Sequence, residues 1–339
     1  MKRNSKLALL LVLVMLATVF VACNKQEGGS SSEGPKESTE STESKEAGGT
    51  QNIIMATGGT TGTYYSLGGT LAQIMNSNAE GVNITAQSTG ASVENVRLLA
   101  TGDAELALLQ NDVLDYAYNG KELFDAKVEN VRAVASLYPE IIQIVGREDI
   151  KTLEDLKGKK VSVGAAGSGT EANAKQILAA AGISYDDIDD RYLTFSESAD
   201  AFKDGQIDAF FVTAGIPNAS IQDITAQHKI SIIDIPTEVA QSVIADYPFY
   251  IEFTIPAGTY PGVDTDINTV AVLAVLATNA EESEDTIYNI TKALYEHLDT
   301  LADSHAKGKE IMLEKAADGI SIPFHPGAEK YLKEAGVLK

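Results

Sequence analysis

Two glycine-rich segments carry the residue types needed to grip a small anionic group without a charged side chain. Gly58 to Tyr65 and Gly164 to Thr170 each combine glycine with threonine or serine, and each opens onto a segment with helical spacing. Glycine lets the main chain approach a guest closely, and the first amides of a helix have no intrahelical partner, so they favour an anion. Gly62, Thr63 and Tyr64 are candidate contacts in the first segment, and Ser168, Gly169 and Thr170 in the second. The hydroxyls of Thr63, Ser168 and Thr170 serve equally well as helix caps, so the pair of loops carries more weight than any one member. Ser88 and Thr89, ahead of Gly90, lie between an alternating segment and another helical one and join the candidates. Gln110 and Asn111 follow a short apolar run and can both donate and accept hydrogen bonds, as orienting an amino-acid-like solute requires. Asp112 beside them suits the cap of the next helix. Thr213 holds the matching place in the second half of the chain. Tyr64 and Tyr138 can offer phenol groups, although aromatic rings more often pack in cores.

Other chemistries find little support. Gly164-Ala165-Ala166-Gly167-Ser168-Gly169 has the spacing GxxGxG, not the GxGxxG of a dinucleotide loop, and no GxxxxGK[ST] phosphate loop occurs. His228, His297, His305 and His325 are scattered, with no HExxH pair, and no GxSxG elbow appears. The chain is therefore expected to be no enzyme and to need no metal and no cofactor. Arg97, Arg132, Arg147 and Arg191 all fall outside the candidate loops, so a guest carboxylate is expected to be held by amides and hydroxyls. The formal charge of −22 argues against nucleic acid as a partner, which needs a basic stripe.

The elements that must position these residues alternate. Asn52 to Ala56, Val82 to Ala86 and Leu106 to Leu109 read as strands, with helices over Tyr65 to Asn76 and Ser92 to Ala100. Lys160 to Val163 and Ala209 to Val212 repeat the scheme around a helix from Glu171 to Ala181 that Gly182 ends. Such alternation predicts a mainly parallel sheet with helices on both faces. Beyond Phe249 the pattern gives a strand over Tyr250 to Ile255 and helices over Thr269 to Thr278, Ser283 to Ser304 and Lys307 to Ala317. Pro323 and Pro326 then precede a last short helix. Gly102 to Leu109 aligns with Gly205 to Val212: each has a glycine, an acid three residues on, then a four-residue apolar run. This suggests two similar lobes with one guest-facing loop each.

The N-terminus reads as an export leader. Lys2, Arg3 and Lys6 precede an apolar run from Leu7 to Val21, long enough for a signal core and short for a membrane span. A single anchor helix is the alternative. The run ends at Phe20-Val21-Ala22-Cys23, which resembles a bacterial lipobox with Phe20 in place of the usual leucine. Residues 1–22 are thus expected to be removed and Cys23, the only cysteine, to be lipidated, which excludes an intrachain disulfide. Losing the three leader cations takes the charge from −22 to −25. Residues 23–50 are polar and glycine-rich and are expected to form a disordered tether, with a reach on the order of 30 Å.

Several passages, taken in order, resemble the TRAP-associated extracytoplasmic (TAXI) solute receptors. They are Ala56-Thr57-Gly58-Gly59-Thr60-Thr61-Gly62-Thr63-Tyr64-Tyr65, Ser88 to Asn95, Leu109-Gln110-Asn111-Asp112, Thr152 to Gly164 with the Gly-Ser-Gly-Thr after it, and Phe211 to Pro217. The resemblance implies an α/β, two-lobed type II periplasmic-binding-protein fold with crossing hinge strands. Lobe one would span 51–137 plus 250–339, and lobe two 138–249. It also implies a small polar or anionic solute such as glutamate, glutamine or a dicarboxylate, a TRAP-type permease driven by an ion gradient, and a monomer tethered to the outer face of the membrane. A surface antigen or adhesin without a transported solute, and a nucleotide-dependent enzyme, are the competing readings.

Overall fold

The computed structural model describes residues 50–339. The leader, Cys23 and all but the last residue of the tether lie outside the described residues. The chain runs β1 (Gln51–Ala56), α1 (Thr63–Asn78), β2 (Val82–Gln87), α2 (Ser92–Thr101), β3 (Leu106–Gln110), α3 (Asn111–Asn119) and β4 (Val131–Arg147). It continues with β5 (Lys160–Ser162), α4 (Gly169–Ala180), β6 (Asp189–Arg191), α5 (Phe195–Lys203), β7 (Ala209–Ala214), α6 (Ala219–Thr225), β8 (Ile230–Ile232) and α7 (Thr237–Asp246). It ends with β9 (Ile251–Ile255), β10 (Ile267–Asn279), α8 (Glu284–Glu296), α9 (Leu298–Ser304) and α10 (Pro326–Glu334).

The strands form one continuous path, β2-β1-β3-β10-β4-β7-β5-β6, with β9 added on β10 and β8 on β4. Two long strands make that path continuous. The first half of β4 pairs with the end of β10, and its second half, Ile141 to Gly146, pairs with β7. In β10, Ile267 to Ala271 pair with β9, and Ala274 to Thr278 pair with β3. Each strand thus serves both halves of the molecule, and the two cross antiparallel. The register slips between Leu273 and Val275, opposite Pro139 and Ser136. Pro139 has no N–H to give the ladder. At this slip the Leu273 amide donates to Asn111 Oδ1 at 3.0 Å.

Four cores flank this sheet, two to each lobe, because neighbouring strand residues face opposite ways. Leu106 and Leu108 of β3 join the cluster under α1, α8 and α10, whereas Ala107 and Leu109 join the one under α2 and α3. In β7, Ala209 and Phe211 pack toward α4 and α7, and Phe210 and Val212 toward α5 and α6. The result is a two-lobed α/β fold with crossing strands.

Four expectations need correcting. The sheet is mixed: β1, β2 and β3 pair in parallel, as do β5, β6 and β7, but β4 and β10 pair antiparallel with each other and with every other strand they meet. The predicted helix over Thr269 to Thr278 is β10. An apolar run buried on both faces has no periodicity to separate strand from helix, and here pairing with β3, β4 and β9 decides. The predicted helix over Lys307 to Ala317 is two short 3₁₀ turns, and the one over Ser283 to Ser304 breaks at His297.

Candidate functional site

Loops at the ends of β1, β2, β5 and β6 converge with the last residues of β3 and β7 on one cavity of about 50 Å³. This is the C-terminal edge of the parallel strands, where ligands collect in open α/β sheets. Gly58, Gly62, Thr63 and Tyr64 line it from one lobe, and Ala165, Ser168, Gly169 and Thr170 from the other. Thr89, Gln110 and Thr213 also line it. Nine of the twelve candidate contacts therefore share one cavity. The other three stand behind it. Ser88 Oγ donates to the Gly58 carbonyl at 2.9 Å, tying two loops together. Asn111 holds the crossing strand through Leu273 and donates to the Gly319 carbonyl at 3.2 Å. Tyr138 is buried and donates to Glu140 Oε1 at 3.2 Å.

Helices α1, α2 and α4 are among those that open at the cavity. Gly62 precedes α1 and Ala91 precedes α2, and neither supplies a side-chain cap. Ser168 precedes α4 and accepts from the Glu171 amide at 3.2 Å, so the capping role expected of it is real. By helix geometry the leading amides of all three lack main-chain partners, and the helix dipoles add positive potential. Among the described residues no lysine, arginine or histidine lines the cavity. Nor is any group of three His, Cys, Asp or Glu side chains there placed to hold a metal.

The acid in the cavity wall was not singled out from sequence. Glu140 lies in β4, 2 % exposed, and receives hydrogen bonds from the phenols of Tyr64 and Tyr138. Burial pushes its carboxyl up to about 8, although both phenols favour the ionised form. Its signal was available: a lone acid inside the apolar run Leu137 to Val145 is out of place unless it does something. Ser92, Thr194 and Phe195 also line the cavity and were missed for want of any motif.

The two lobes are drawn together around this cavity. The Gly215 amide donates to Thr63 Oγ1 at 3.1 Å, and Asn218 Nδ2 to the Thr61 carbonyl at 3.3 Å. Asp112 does not cap α3 but reaches across to Asn173, whose Nδ2 donates to it at 3.0 Å. Burial pushes Asp112 up to about 7.

Among the glycines lining the cavity, Gly169 stands closest to a facing side chain. A methyl group there would lie 2.1 Å from Gln110 Oε1 of the facing lobe. Gln110 can swing aside, at about 1 kcal/mol for a displaced rotamer. Gly169→Ala is therefore expected to weaken guest binding roughly tenfold while leaving the melting temperature of the empty protein within a degree or two. Titration calorimetry checks this, and unchanged affinity would show that the close approach is not needed for closure.

Comparison with known proteins gives the same architecture. The profile of the NMT1-like family matches residues 55–336. A protein from Bordetella bronchiseptica RB50 is 17% identical with a TM-score of 0.50, over 85% of this chain and 89% of that one. The alkanesulfonate-binding protein SsuA from Xanthomonas axonopodis pv. citri, bound to MOPS, is 15% identical with a TM-score of 0.48, over 85% of each chain. A putative L-cystine ABC transporter protein from Listeria monocytogenes is 16% identical with a TM-score of 0.48, over 78% of this chain and 98% of that one.

Proposed function

The chain belongs to the NMT1-like family, and from that premise we propose that it is an extracytoplasmic solute-binding lipoprotein that closes on a small polar solute and hands it to a membrane permease. One observation carries this reading: two glycine-rich loops from different halves of the chain, each ahead of a helix N-terminus, meet at a single cavity between two lobes. Nothing in the wall resembles a nucleophile–base pair, so the reading is binding and release without turnover. The solute class is glutamate, glutamine or a related dicarboxylate. Its contacts are Gly62, Thr63, Tyr64, Thr89, Gln110, Ser168, Gly169, Thr170 and Thr213, with Ser88, Asn111 and Tyr138 in support.

In this reading lobe one spans 51–137 and the chain beyond about 273, and lobe two spans 138–272. The return falls later than Tyr250 because Tyr250, Val270 and Val272 share a core with α4 and α7, and Ile255, Tyr260 and Ile267 share one with α5 and α6. Cys23 carries the lipid anchor. Retention of the protein by membranes, lost in Cys23→Ala, is the check on that.

Calorimetric titration of ligand-stripped protein with a panel of amino acids and dicarboxylates tests the solute class, and failure of every member would remove it. The sequence passages shared with the TAXI receptors support a TRAP-type permease. An ATP-driven ABC-type permease is the second reading. Uptake that survives ATP depletion but collapses with the ion gradient favours the first, and the reverse favours the second.

A further inference from the structure

The cavity wall carries polar groups of both kinds. The uncapped openings of α1 and α2 and the first amides of α4 are donors. Glu140 and Gln110 are buried acceptors, Gln110 Oε1 facing Gly169 at the start of α4. Gln110 is 2 % exposed, and its Oε1 has no hydrogen-bond partner among the described residues. A buried acceptor left unpaired costs about 1–3 kcal/mol, so the site gains by receiving a donor from outside. Glu140 has a phenol on each oxygen but no ion-pair partner among the described residues. The groups that act on it electrostatically are Tyr64 of α1, Tyr138 on its own strand, Asp112 of α3, and Lys307 in the turn over Ala306–Glu310. Only Lys307 is cationic, and its ammonium is already bound to Glu310 Oε1 at 2.6 Å.

We propose that the cavity is built for a zwitterion: the Glu140 carboxylate and the Gln110 amide oxygen take the guest's ammonium, and the amides opening α1, α2 and α4 take its carboxylate. The inference rests on the solute-binding reading and narrows it to amine-bearing guests. A dicarboxylate of the same length without the amine brings no donor to Gln110 and no cation to Glu140. With an empty site near pH 7, Glu140 is mostly protonated, because burial holds it near 8. Seating an ammonium ionises it, and the proton leaves to solvent. Affinity for such a guest therefore rises with pH, by up to about tenfold per unit, and levels off above about 8.

The test is calorimetric titration of the ligand-stripped chain with L-glutamate, L-glutamine, 2-oxoglutarate and glutarate, in two pH 7 buffers of different ionisation enthalpy. Mass spectrometry of solute released on denaturing freshly purified protein accompanies it. The expected result is an amine-bearing guest bound at least about 30-fold tighter than its amine-free counterpart, with about one proton released per guest. In Glu140→Gln the amide oxygen keeps one phenol bond and the other phenol turns to accept from the amide nitrogen; the variant is expected to lose about 100-fold in affinity for the amine and to release no proton. The proton count is read on the unmodified protein, so it stands even if the variant fails to fold. Equal or tighter binding of 2-oxoglutarate or glutarate, a released solute lacking an amine, or binding without proton release overturns the zwitterion and leaves a solute receptor. If neither the panel nor the released fraction yields any guest, the receptor reading falls and this inference with it.

Discussion

Asn173→Leu is expected to destabilise the protein by about 3–5 kcal/mol while keeping the branched outline of the side chain. Asn173 lies in α4, fully buried, at the centre of a polar network that crosses between the lobes. Its Nδ2 donates to Asp112 Oδ2 at 3.0 Å and to the Tyr250 phenol oxygen at 2.7 Å, and its Oδ1 accepts from Thr213 at 3.0 Å. Tyr250 in turn donates to Gln176 Oε1 at 2.5 Å, and Gln176 Nε2 donates to the Tyr116 phenol oxygen at 3.1 Å. Leucine keeps that outline and makes none of these bonds. It strands the Thr213 hydroxyl and leaves Asp112, whose Oδ1 already lacks a partner, with neither oxygen satisfied. Each stranded group costs about 1–3 kcal/mol, and members of one network do not add independently, hence the range. Urea midpoints of variant and parent measure it. A loss under about 1 kcal/mol would mean that water replaces Asn173 and that the network does not bind the lobes. Asn173→Asp is the informative companion: it faces Asp112 with a second carboxyl, so its deficit should be small at pH 5, where the two can share a proton, and large at pH 8.

What the sequence disclosed and what it hid divide along physical lines. The candidate loops were legible because their chemistry is local: glycine and hydroxyl residues between a strand and a helix say where amides point, wherever the strand sits. Gly62 to Tyr64 and Ser168 to Thr170 need no knowledge of distant partners, and they meet in one cavity. The crossing strands were hidden because their identity is settled by pairing. Val270 and Val272 face one core and Ala271 the other, so β10 offers no apolar stripe with a polar back. Its helical reading failed on tertiary context, and β4, nearly as apolar, was passed over altogether. Asn111 shows the same limit at a single residue. Its amide suits a solute, yet its oxygen is taken by the Leu273 amide at the slipped register and its nitrogen by the Gly319 carbonyl, which only the fold reveals. Glu140 is the converse case. A lone acid in an apolar strand is a local signal with a long-range cause, since the phenol of Tyr64 and the loops around it arrive from another lobe segment.

Glu140 and Asp112 together predict an unusual pH profile for the empty protein: stability should be greatest in mild acid and fall as the pH rises from about 4 to about 8. Both are carboxyls that burial raises far above the usual range, Glu140 to about 8 and Asp112 to about 7. The unfolded chain gives up these two protons near pH 4, whereas the folded chain keeps them several units longer. Between those values the folded state binds more protons, so each unit of rising pH removes up to about 1.4 kcal/mol per group until the folded carboxyl also ionises. The stabilisation is complete below about pH 4 and lost above about 8, and relaxation of the cleft around an ionised group keeps the total to several kcal/mol at most. Asp155, Asp187 and Glu197, held below the usual carboxylate range by main-chain hydrogen bonds, pull the other way, but they are solvent-exposed and count for little. Thermal melts of ligand-stripped protein across pH 5 to 8 read the slope, and Glu140→Gln with Asp112→Asn should flatten it. A level profile in the parent would show that neither acid is held neutral by its surroundings. A bound ammonium reverses the argument for Glu140 alone, because its ionised form then has a partner. The melting-temperature gain from a saturating amine-bearing guest should therefore widen as the pH rises, while the Asp112 contribution keeps its sign.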